Sequence, residues 1–392
     1  MKLKLTAAAA LLALSAASGA HAQDPLKIGF IGELSGAQAA VGKDQLDGFM
    51  LLVERNGGKL GGVPVQIIKE DSQLKPDVAN QVARRLVERE KVPIITGISF
   101  SNVMMAIHKY VTGQEVFLIG SNAGPSQIAG EQCSPYQFIT SWQGDQAAEA
   151  VGKYAAEKGY KRVLVMAPNY QAGKDIVAGF KRYYKNEVVD ELYTQLNQLD
   201  FAAELSQVSA AKPDAVFAFF PGGLGVAFAK QYAQAGLMKS TPLLSTFVAD
   251  AITLPSIGDS AVGLVSGGFW APDFNNPQSQ RFVEEFEKKY GRIPSNYAAQ
   301  SYDAAQLLDS ALARVKGNVA DKQAFMNALS AADFKSVRGS FKFNNNHFPI
   351  QDMHVMQVAK DGKGRLNLKT AATPLKNTQD AYHDKCPLKG AS

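Results

Sequence analysis

The chain has 392 residues, with 41 Lys and Arg against 36 Asp and Glu and a formal net charge of +5. Its basic residues are spread without an Arg/Lys-rich stripe, which leaves a nucleic-acid backbone no continuous track. The length exceeds what one hydrophobic core usually fills, so two lobes are expected, and beyond the N-terminus no run is long and apolar enough to cross a bilayer.

Residues 1–22 read as a secretory signal peptide: Lys2 and Lys4, an Ala/Leu-rich stretch, then Ala20-His21-Ala22 before Gln23. Removing Lys2 and Lys4 would leave a net charge of +3. Cys133 and Cys386 would both survive export into a compartment that oxidises thiols, which predicts one disulfide holding the C-terminal tail, residues 376–392, to the segment before Tyr136. A buried free pair or a metal site is the alternative, and the lack of a CxxC or nearby histidine spacing argues against metal.

From Leu26 onward, short β-branched runs alternate with helical patterns, as in a parallel sheet covered on both faces. Strands are expected at Lys27–Ile31, Val63–Lys69, Val92–Ile98 and Val116–Gly120, with helices over Asp44–Arg55, Pro76–Glu90 and Ser101–Tyr110. The pattern restarts after Trp142 with helix 145–158, strand Arg162–Ala167, helix 173–185, strand 187–194, helix 200–211, strand Ala215–Phe220, helix 224–236 and strand Pro242–Thr246. Gly263–Trp270 leads into helices Gln278–Tyr290 and Tyr297–Val315, assigned back to the first lobe, followed by helix 321–330. Gly339–Phe343, Met353–Ala359 and Arg365–Leu368 then form an antiparallel closing piece. This predicts two doubly wound α/β lobes joined by a three-strand hinge: 26–142 with 271–337, and 143–270 with 338–375. The cleft lies where strand ends and helix starts of both lobes converge.

The order Ile28-Gly29-Phe30-Ile31-Gly32-Glu33-Leu34-Ser35-Gly36, Gly42-Lys43-Asp44, Gly57-Gly58-Lys59-Leu60-Gly61-Gly62-Val63-Pro64-Val65, Asp71 followed by Pro76, Ser121-Asn122-Ala123-Gly124-Pro125-Ser126, Tyr170-Gln171-Ala172-Gly173-Lys174-Asp175 and Tyr302-Asp303-Ala304 spans nearly the whole mature chain. It resembles the type I periplasmic binding proteins of the leucine/isoleucine/valine-binding branch. That resemblance implies a periplasmic, non-enzymatic carrier without cofactor, monomeric and not membrane-embedded, which hands a small carboxylate ligand to the membrane permease of an ABC transporter.

The resemblance also implies that the ligand carboxylate is held on the first lobe, by Ser101 and Asn102 and by Ser121, Asn122 and Ala123. The position of Ser101 at a helix start agrees, since its hydroxyl and the first free N–H groups suit an anion. Amino-acid binders of this branch carry an acidic residue on the loop after the strand at Pro242–Thr246, where it pairs with the ligand ammonium. This chain has Ser245-Thr246-Phe247-Val248 there, with Asp250 a few residues too late. An unpaired ammonium in a dry cleft is costly, so a ligand without one is expected. Tyr170, Phe220, Pro221, Gly222 and Phe247 on the second lobe suit a flat apolar body, and Tyr297 would reach in from the hinge side. Asn-Ala-Gly-Pro-Ser together with Pro-Gly-Gly resembles the subset that binds benzoate-like aromatic acids.

The glycine-rich stretches lack the dinucleotide fingerprint and the P-loop ending, no histidine pair has zinc-protease spacing, and no nucleophile elbow occurs. Branched-chain amino-acid binding, a hydrolase whose triad assembles only in space, and a ligand sensor remain the competing readings.

Overall fold

The computed structural model describes residues 24–388. The expected signal peptide lies outside the described residues.

Among the described residues, fourteen strands form two sheets. The first holds β1 (Leu26–Gly32), β2 (Lys59–Leu60), β3 (Val63–Asp71), β4 (Ile94–Gly97), β5 (Phe117–Gly120) and β6 (Gln137–Ile139), in the order β2-β3-β1-β4-β5-β6. All neighbours are parallel except the short β2–β3 hairpin. Ile28 stands between Ile67 and Ile94. The second sheet holds β7 (Arg162–Pro168), β8 (Glu187–Thr194), β9 (Ala215–Phe219), β10 (Leu243–Thr246), β11 (Val265–Gly268), β12 (Lys342–Phe343), β13 (Pro349–Lys360) and β14 (Leu366–Thr378). Its order is β12-β13-β11-β10-β9-β7-β8, with β14 on β13.

The buried central strands read as continuous apolar runs because helices cover both their faces. On β7, Val163, Val165 and Ala167 enter one core while Leu164 and Met166 enter the other. On β9, Ala215, Phe217 and Phe219 alternate in the same way with Val216 and Ala218. The helices Pro277–Tyr290 and Asn296–Arg314 return to the first sheet and pack on the helix Ala39–Arg55. A Cβ on Gly48 would stand 2.1 Å from the Ala298 carbonyl oxygen, so only glycine permits this close approach. The first of the two helices opens with Asn276, whose side chain accepts from Ser279 N–H, and Pro277; it closes at Gly291 in the left-handed region.

Some expected boundaries move. The helix at Pro76 is α-helical to Arg84 and then widens into a π-helical turn, Arg85–Arg89. The strand expected at Gly339–Phe343 shrinks to Lys342–Phe343. The one expected at Arg365–Leu368 runs to Thr378 as an edge strand, where Pro374 is tolerated.

Three of the segments that pass between the lobes meet at Arg338. Its guanidinium donates to Thr140 O, to Ser141 O (2.9 Å), to Gln351 Oε1 (2.8 Å) and to buried Asp303 (2.9 Å), and it lies 5.3 Å from the Phe269 ring centroid. Cys133 and Cys386 are bonded to each other, with their Cα atoms 5.7 Å apart. Tyr382, on the tail that this bond fastens, donates to Asp145 (2.8 Å) at the start of the second-lobe helix Gln146–Glu157.

Candidate functional site

The carboxyl ends of β4 and β5 face those of β7, β9 and β10 across one cavity. It holds about 440 Å³ of empty space, of which only about 30 Å³ is wide enough for the centre of a water molecule. Such a space is a narrow slot.

On the first lobe, Phe100 precedes the helix Ser101–Gly113 with extended backbone and supplies no side-chain cap. The N–H groups of Ser101, Asn102 and Val103 therefore have no acceptor among the described residues, and an uncapped helix start favours an anion. Ser99 and Ser101 both line the cavity. Ser99 Oγ donates to Gln45 Oε1 (2.7 Å), while Ser101 Oγ accepts from Ala172 N–H (2.9 Å) of the opposite lobe. The second-lobe helix Gln171–Tyr183 also starts uncapped, at Tyr170. Two helix starts thus meet across the cleft, each opened by an aromatic residue.

Aromatic rings line the remaining wall. Tyr170 stands 6.5 Å from Phe100 and stacks at 6.2 Å on Phe219; Phe219 meets Phe247 edge-on at 6.1 Å; Phe247 then packs against Trp142 (4.8 Å) and Tyr297 (5.9 Å). Burial holds the Tyr170 and Tyr297 hydroxyls far above the usual tyrosine range, so both are neutral. Tyr297 Oη and Trp142 Nε1 have no hydrogen-bond partner among the described residues. Ile98 (φ 60°) and Phe247 (φ 59°) hold left-handed backbone at strand ends beside the cavity, a cost that β-branched and bulky residues rarely bear outside functional sites.

Behind the cavity lining, each lobe carries one fully buried acid with an unpartnered oxygen among the described residues, Glu33 Oε2 and Asp250 Oδ2. Burial pushes the Glu33 carboxyl up to about 7, against the hydrogen bond that Ser72 Oγ donates to its Oε1 (2.8 Å). It pushes Asp250 up to about 7 as well, against hydrogen bonds from Thr253 and Ile252.

Residues 25–363 match the family model described as periplasmic binding protein. The chain belongs to that family. It is 28% identical over 375 residues to the Leu/Ile/Val-binding protein homolog 6 of Brucella melitensis, covering 92% of this chain and 95% of the relative. A solute-binding protein of an ABC transporter from R. palustris, solved in complex with benzoate, is 32% identical with a TM-score of 0.88, over 93% of this chain and 100% of the other. Another from Rhodopseudomonas palustris BisB5, in complex with 3,4-dihydroxybenzoic acid, is 30% identical with a TM-score of 0.84, over 92% and 99%.

In this binding protein the cavity brings together Ser101, Asn122, Ala123, Tyr170, Pro221, Phe247 and Tyr297 of the residues singled out from sequence. The other four face elsewhere. Ser121 is buried between helices, accepting from Gln45 Nε2 (2.7 Å) and donating to Ser301 (3.2 Å). Asn102 turns away to donate to Leu74 O (3.0 Å). Phe220 packs against Phe201 and Phe228 in the second-lobe core, and Phe219 takes the cavity position, because adjacent residues at a strand end point to opposite faces. Gly222 (φ 59°) is an inter-lobe contact: a Cβ there would stand 2.2 Å from Gln38 Oε1. Ser101 is the first helical residue, with Phe100 in the capping position.

Phe100, Trp142, Phe219 and Asp175 were not anticipated as lining residues. Only for Phe219 did the sequence hold a usable signal, the period of two along β9.

Proposed function

We propose that this protein captures a small aromatic monocarboxylate of the benzoate type and delivers it unchanged to a membrane permease. The observation that carries this reading is the pairing of an uncapped helix start flanked by Ser99 and Ser101 with a wall of rings around a slot too narrow for a bulky ligand. The carboxylate meets oriented N–H dipoles and a hydroxyl, and closure packs Tyr170, Phe219 and Phe247 against the ring face. Complexes with benzoate-type acids among the similar structures support the same ligand class.

Branched-chain amino-acid binding is the second reading. It is favoured by the unpartnered Asp250 Oδ2, an acid near Tyr297 that would have to serve as counter-charge to an ammonium. Against it, Asp250 does not line the cavity, and its other oxygen accepts from Ile252 and Thr253 N–H.

A thermal-shift series with benzoate, 4-hydroxybenzoate, 3,4-dihydroxybenzoate, leucine and valine tests the proposal. A ligand at a hundred times its Kd stabilises the native state by about 2.7 kcal/mol, so the aromatic acids should raise Tm. A rise confined to leucine and valine would replace this reading with the second.

A further inference from the structure

No Lys, Arg or His is among the residues lining the cavity, and Asp175 is the one acid there. Asp175 is 4% exposed. Its Oδ2 accepts from Ser126 N–H (3.0 Å), and its Oδ1 accepts from Ser126 Oγ (2.8 Å) and Gln171 Nε2 (2.8 Å). An ionised carboxylate offers about four acceptor positions, so one remains on Oδ2. The Arg182 guanidinium on the same helix is engaged by Asp145 (2.6 Å) and Glu149 and leaves Asp175 uncompensated. Burial, reinforced by the nearby Asp145 charge, raises Asp175 to about 6 against the Ser126 hydrogen bonds, which keeps it mostly ionised at neutral pH.

We infer that Asp175 is a charge filter, restricting the cavity to aromatic acids with one carboxylate whose other ring substituents are uncharged. The inference rests on the aromatic-acid reading above and narrows it. The helix start compensates one negative charge. A second would share a closed, water-poor space with Asp175, whereas a hydroxyl or amide N–H meets a free acceptor position. At an effective dielectric near 20 and a separation of about 8 Å, like-charge repulsion weakens binding about thirtyfold.

Terephthalate and its isosteric monoamide, 4-carbamoylbenzoate, separate charge from size. Calorimetry on the wild type at pH 8, where Asp175 stays ionised, should show the monoamide binding about thirtyfold more tightly than terephthalate, and Asp175→Asn should bring that ratio close to one. Ser126→Ala removes a bond across the cleft but keeps the Asp175 carboxylate, so it should weaken both ligands while the monoamide stays the tighter binder. Both variants are to be checked for native-like melting. An equal ratio in wild type and Asp175→Asn would overturn the filter alone. A wild type that binds neither benzoate nor the monoamide would overturn the aromatic-acid reading together with it.

Discussion

The two walls of the cleft are built from the same grammar, parallel strands ending in loops that open helices, yet they present opposite chemistry. The first-lobe wall offers Ser99, Ser101 and free backbone N–H groups, while the second-lobe wall offers Tyr170, Phe219 and Phe247. A hinged protein gains from this division. The polar wall can hold a charged group in the open form, whereas the apolar wall contributes only when the lobes meet. Ligand contacts made solely in the closed form are the ones that shift the equilibrium toward closure.

The lobes are alike in one respect, a buried acid behind each wall, and the largest expected effect tests that likeness. Glu33 and Asp250 are both held near 7, well above the ordinary carboxylate value. The native state therefore prefers them protonated, and the stability this contributes is full below about pH 4 and lost as pH rises through 7, about 3 kcal/mol for Glu33 and about 4 kcal/mol for Asp250. Urea denaturation at pH 5 and pH 8 should show the loss, and Glu33→Gln and Asp250→Asn should each reduce it. If one variant alone flattens the profile, the walls are not equivalent.

The next effect sharpens the contrast in kind. Ser101→Ala should weaken aromatic-acid binding by about 1.5–3 kcal/mol, the worth of a hydrogen bond to a charged group. It also removes the bond to Ala172 N–H across the cleft. An unchanged Kd in calorimetry would take Ser101 out of the polar wall. The smallest expected effect falls on the other side, where Tyr170→Leu keeps an apolar surface but loses the stack on Phe219, at about 0.5–1.5 kcal/mol. That loss should appear in dissociation more than association, because Tyr170 completes the site on closing. Equal changes in both rates would contradict the division of labour.

The alternation of elements was legible because buried parallel strands are continuous apolar runs and helices carry a 3.6-residue repeat. What the sequence hid was direction at the points where regular structure stops. Phe219 and Phe220 look alike in a linear reading, and only the register of β9 decides which one faces the cavity. Phe100 fills a capping position that sequence rules reserve for short polar residues, although the helix itself begins at Ser101 as expected. Trp142 lies on a crossing segment with no period to read, and Asp175 lies inside a helix whose neighbour across the cleft is distant in sequence. Both owe their place to how the lobes meet.

The sulfur bond between Cys133 and Cys386 has a mechanical consequence. It anchors a tail on one half whose Tyr382 grips Asp145 on the other, so the tail works as a leash running outside the jaws. Opening must peel Tyr382 from its partner while the anchored end stays put. Protein made in a reducing compartment would keep its binding slot but lose that limit on how far the jaws swing.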